Sequence, residues 1–109
     1  MPNVYKILGQ ANPAPATLST LYTVPSSNSA VLSTINICNL NTSPAVFRVA
    51  CRPAGTAIAN THYIVYDTLL AGSDSISLSL GLTLGNTDVV SVLANTGNVT
   101  FAAFGSEIY

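Results

Sequence analysis

The sequence predicts an all-β chain, a small β-sandwich or jelly-roll-like barrel of seven or eight strands. Three observations carry this. Ser75 to Leu84 alternates with period two: Ile76, Leu78, Leu80, Leu82 and Leu84 share one parity, and Ser75, Ser77, Ser79, Gly81 and Thr83 the other. Clusters of Gly, Pro, Asn, Asp and Ser recur between short apolar runs, as turns between strands do. Helical periodicity is weak throughout, and the β-branched content suits pleated structure.

Each element follows in order. Pro2 to Leu8 reads as a short first strand. Gly9 to Pro15 then breaks regular pairing, because two prolines lack backbone donors and favour an extended connector. Leu18 to Val24 is the next strand. Leu18, Thr20, Tyr22 and Val24 share a parity that Leu21 does not, so its inner face is ambiguous. Pro25 to Asn28 is a turn.

Ala30 to Arg52 reads as the organising hairpin, two strands joined by a turn near Asn41 to Ala45. Alternation places Val31, Ile35 and Ile37 on one face of the first arm, and Phe47, Val49 and Cys51 on one face of the second. The expected register sets Ile37 against Val49 and Ile35 against Cys51. Cys38 then faces away from Cys51, and both cysteines are expected to be free and packed.

Pro53 to Gly55 ends the second arm. Thr56 to Asn60 is a loop or one helical turn, too short for an independent helix. His62 to Leu70 is a strand with large side chains on both faces, which suggests a bulge. Ala71 to Asp74 turns into the alternating strand Ser75 to Leu84, where Gly81 marks a bend. Leu84 to Asp88 is a further turn, Val89 to Ala94 a strand, and Asn95 to Asn98 a turn. Val99 to Phe104 is the last strand, with Val99, Phe101 and Ala103 on one face and Phe104 on the other. Gly105 to Tyr109 reads as a short tail whose Ile108 and Tyr109 contact a partner. No linker divides residues 1–109, so one sandwich domain with an extended N-terminal segment is expected.

The chain has three basic and four acidic residues, so 6% is charged, against about 25% in ordinary domains. Charges are expensive to bury, so sparse charge fits a surface covered by partners. A stable oligomer or larger assembly is expected. Three basic residues make no nucleic-acid patch, so no direct nucleic-acid partner is expected. No apolar run reaches bilayer length, so no membrane partner is expected either. The N-terminus has no extended apolar signal region, so targeted secretion is not expected.

Chemistry-bearing residues are few. His62 is the single histidine, and serines with His62 and Asp67 make a triad only on paper, without a nucleophile motif. Asp67, Asp74, Asp88 and Glu107 show no spacing that pairs them across a cleft. Neither a dense calcium loop nor cysteine spacing for zinc is present. No catalytic residue, metal or cofactor is expected. Asn98-Val-Thr100 matches a glycosylation sequon, read as a chance match. Arg48 and Arg52 share the face opposite Phe47, Val49 and Cys51, and are candidates for intersubunit salt bridges with Asp67, Asp74, Asp88 or Glu107. Tyr5, Tyr22, Tyr63, Tyr66 and Tyr109 join them as large surfaces with polar tips. The candidate interface is therefore Arg48, Arg52, Tyr63, Tyr66, Ile108 and Tyr109.

Thr20-Leu-Tyr-Thr-Val-Pro25, Ala30-Val-Leu-Ser-Thr-Ile-Asn-Ile-Cys-Asn39, Phe47-Arg-Val-Ala-Cys-Arg-Pro-Ala-Gly55 and Phe104-Gly-Ser-Glu-Ile108 together resemble small β-rich structural proteins of tailed bacteriophage virions. The resemblance implies a non-enzymatic role as a capsid decoration or cement protein on the outer capsid surface, reinforcing coat-subunit junctions as a homo-dimer or homo-trimer. Its partners would be capsid or other virion proteins, and assembly would take place in the host cytoplasm. It also admits a tail, baseplate or fibre-associated adaptor, with or without a glycan-binding surface.

Overall fold

The computed structural model describes residues 3–109, so Pro2, the expected start of the first strand, lies outside the described residues. Eight strands follow: β1 Asn3–Ala11, β2 Ser19–Thr23, β3 Ser29–Asn39, β4 Ala45–Arg52, β5 Tyr63–Leu70, β6 Ser75–Leu84, β7 Val89–Ala94 and β8 Val99–Ile108. Single 3-10 turns at Pro53–Gly55 and Asn60–His62 lie between β4 and β5. Among the described residues no helix is long and apolar enough to cross a membrane.

The strands form two antiparallel four-stranded sheets, β1-β8-β3-β6 and β2-β7-β4-β5. First pairs with last, second with seventh, third with sixth and fourth with fifth. The path is a long double strand rolled up on itself, which is the jelly-roll order. Neither sheet closes on itself, so the sandwich half of the expectation holds and the barrel half does not. The core fills from both inner faces. Phe47 of β4 meets Phe101 of β8 edge to face, with ring centroids 6.2 Å apart.

The expected hairpin is not formed. β3 pairs with β6 and β8, whereas β4 pairs with β5 and β7. The Asn41–Ala45 turn therefore crosses between sheets, and the Ile37–Val49 register falls with it. A buried amide directs the crossing. Asn39 donates to the carbonyls of Ser43, Leu70 and Ala71, and its Oδ1 accepts the Asn41 N–H at 3.0 Å. Asn41 in turn donates to Thr96 and accepts from Asn98, so the sequon asparagine is part of this pin. Cys38 and Cys51 are both free and half-buried, on different sheets. The separation, not the expected register, keeps them apart.

Alternation held where the strands are regular and failed at bulges. Leu32 and Ile35 are both fully buried, and Val31 faces outward with its neighbour Ser106. The cause is an extra residue at Ser33 relative to β8, which moves the inner face by one position. Opposite it, β6 takes up the irregularity at Gly81, whose φ of 61° is open to glycine. In β2 a register shift at Leu21 buries both Leu21 and Tyr22, which resolves the ambiguous parity.

The expected tail from Gly105 is strand. β8 continues to Ile108 because it lies between β1 and β3 and has ladder partners on both sides. β1 likewise runs past the expected break to Ala11, over a bulge at Leu8. At Gly9 a Cβ would collide with the Leu21 carbonyl oxygen, so glycine lets β1 of one sheet close on β2 of the other.

Candidate interaction surface

Phe47 and Val49 point into the core, so Arg48 between them projects from the outer face of the second sheet. Its neighbour β5 is the edge strand. A register shift there leaves Tyr66 and Asp67 without single partners, and Asp67 takes φ 49°. Asp tolerates this left-handed position better than most residues. The bulge turns the Asp67 carboxylate onto Arg48, with Nε to Oδ1 at 2.6 Å and Nη2 to Oδ2 at 3.2 Å. The same guanidinium lies 4.1 Å from the Tyr66 ring centroid. Tyr63 meets Tyr66 edge to face, with centroids 4.9 Å apart. Asn60, Tyr63 and Tyr66 line an open hollow of about 340 Å³ beside the pair.

Hydrogen bonding to Arg48 holds the Asp67 carboxyl below its ordinary range, and the same bond raises Arg48 further. An exposed pair of this kind adds little to stability because solvent screens it. Its effect is geometric: it fixes a planar cation and an aromatic ring on an exposed edge strand. Tyr66 is 57% exposed and Leu69, on the same strand, 68%.

The structure thus joins Arg48, Tyr63 and Tyr66 and leaves the other expected interface residues apart. Arg52 donates to the Ser91 hydroxyl at 3.2 Å and to the carbonyls of Gly55 and Thr56, which ties down the turn after β4. Ile108 and Tyr109 belong to the other sheet's end, where Tyr109 donates to Glu107 at 3.3 Å. Asp67, considered as an intersubunit partner for arginine, is paired within the chain.

Two further features were not assembled by sequence reasoning, although Tyr5 and Phe104 were each singled out. Tyr5, Ile7 and Phe104 are exposed on the outer face of the first sheet, with Ile7 opposite Phe104. The shared parity of Tyr5 and Ile7 was the available signal. Glu107 is 3% exposed and faces inward. It holds Lys6 at 2.7 Å and accepts from Tyr22 at 2.5 Å. These bonds, Lys6 first and Tyr22 second, keep its carboxyl below the ordinary range, while burial and the carboxylate push Tyr22 up.

The remaining chemistry-bearing groups are bound into the fold. His62 Nδ1 accepts the Ala59 N–H at 3.1 Å. Asp74 accepts from the Ser75 N–H, and Asp88 from those of Ala54 and Gly85. Burial, with the Asp88 charge second, raises the Cys51 thiol to about 11, far from a reactive thiolate. Among the described residues no three His, Cys, Asp or Glu side chains gather as a metal site. The histidine and all four carboxylates are thus engaged in contacts within the chain.

No protein-family model matches the sequence, and no curated protein matches it. Among solved structures, a chain in the structure of infectious bursal disease virus, Gx strain, shares the fold with a TM-score of 0.55 at 11% identity. The match covers 97% of this chain and 32% of the viral one, so the chain spans about a third of that protein. This corrects the expected kinship with tailed bacteriophages: the fold match lies with infectious bursal disease virus instead. The segments that carried the expectation are strands, turns and bulges that this sandwich needs for its own packing.

Proposed function

We propose that this chain is a non-enzymatic structural protein of a virus particle, and that it decorates or cements a capsid at coat-subunit junctions. The observation that carries the reading is the jelly-roll sandwich, alignable over 97% of its length with a chain in a virus structure. Jelly rolls are a recurrent architecture of capsid domains. The sparse charge and the exposed Tyr5, Ile7, Tyr66 and Leu69 suit a surface that neighbouring subunits cover. Arg48 with Tyr63 and Tyr66 forms the primary contact in this reading, because aromatic and arginine side chains dominate interface energies. Arg52, Ile108 and Tyr109 form secondary contacts. The protein acts as a homo-dimer or homo-trimer on the outer capsid surface, following assembly in the host cytoplasm, and adds contact area at several weak sites at once.

Particles assembled with and without the protein test this. The expected result is regular occupancy across capsomers and a higher disruption temperature when it is present. Unchanged occupancy and unchanged resistance would refute cementing. A second reading is favoured by the hollow lined by Asn60, Tyr63 and Tyr66, where an amide and two rings suit a sugar. Glycan retention lost on Tyr66→Ala would favour that reading.

A further inference from the structure

The four sheet edges differ in how they guard against pairing with another chain. β1 carries Lys6 and a bulge at Leu8. β2 has only 5 residues and a bulge of its own. β5 is interrupted at Asp67, with its left-handed backbone and its ion pair. Charges, bulges and shortness are the usual protections of an edge.

β6 is different. It runs for 10 residues without a charge or a proline; its irregularity lies at Leu80 and Gly81, and before that its register to β3 is unbroken from Ser75 to Ser79. Among the described residues it pairs only with β3, so its second edge is free. Its inward-facing Ile76, Leu78, Leu80 and Leu82 pack against the core but stay only partly buried. An edge this long and apolar is built to be covered.

We infer that the free edge of β6 pairs antiparallel with β6 of a second copy, joining two four-stranded sheets into one of eight. The inference rests on the proposed self-association and names the strand that makes it. A two-fold axis normal to the sheet keeps both inner faces on the same side. Every allowed register then sets leucine or isoleucine against leucine or isoleucine, and the small uncharged Ser75, Ser77, Ser79, Gly81 and Thr83 against one another. With no charge on the strand, the self-contact meets no like-charge repulsion. The seam covers the half-buried leucines of both copies.

Sedimentation of the wild type beside Ser79→Lys and Thr68→Lys tests this, with circular dichroism to verify the fold. Ser79 is exposed on β6, and Thr68 is exposed on the β5 edge. The wild type is expected to be a dimer. Ser79→Lys places like charges at the seam and weakens it by about tenfold or more, while Thr68→Lys leaves it intact. In the wild type, amide protection that rises with concentration only in β6 reads the same contact without a substitution. A dimer broken by Thr68→Lys but not by Ser79→Lys overturns the inference and leaves self-association standing. A chain that stays monomeric, with β6 protected only by another virion protein, overturns self-association too and leaves the structural role untouched.

Discussion

Along the β1–β2 side of the sandwich, Tyr22 reaches across from one sheet to Glu107 in the other at 2.5 Å, and Lys6 closes over the same carboxylate. Gly9 allows the two backbones to approach there. Along the β5–β6 side the buried tie is Asn39 to the Leu70 carbonyl, at the strand ends; among the described residues no side-chain hydrogen bond from β6 itself crosses to the second sheet, and its inner side chains remain partly exposed. Both sides start from the same alternation of apolar and polar residues. What separates them is whether side chains of both edge strands converge on one buried polar group, as Lys6 of β1 and Tyr22 of β2 do on Glu107. A locked edge is finished within the chain, and the unlocked one is the edge of the proposed β6 seam.

Breaking the closed side has the largest expected effect. Gly9→Val drives a side chain into the Leu21 carbonyl and destabilises by about 3 kcal/mol in urea unfolding, because backbone leaves no room to adjust. Glu107→Ala removes the acceptor of the buried Tyr22 hydroxyl and costs about 2 kcal/mol at neutral pH. The depressed carboxyl makes that contribution full above the ordinary carboxylate range and lost on acidification. The wild type and Glu107→Ala therefore converge in melting temperature as pH falls below about 4. On the open side, Leu80→Ala costs about 1 kcal/mol, below the usual core range because the side chain is half solvated before it is removed. An equal cost at Gly9 and Leu80 would erase the contrast between the two sides.

The sequence carried the strands well. Ser75 to Leu84 emerged as one strand with its leucines inward, and Phe47, Val49, Phe101 and Ala103 reached the core as their parity requires. The Arg48 cluster was legible in part. Arg48, Tyr63 and Tyr66 were singled out from composition and face, whereas Asp67 as their partner depends on a bulge that alternation alone does not position. Glu107 left no trace, because a carboxylate between Ser106 and Ile108 reads as exposed until Lys6 and Tyr22 are brought to it from distant strands.

By itself, the sequence determined where the chain is extended, where it turns and which side chains share a face. These depend on the period of a pleated backbone and on turn chemistry, both local to a few residues. Tertiary structure alone decided that β3 and β4 part into different sheets, where the bulges move the inner face, and which edges are locked. Pairing is chosen among strands far apart in the chain by the burial of the whole core and the satisfaction of its polar groups.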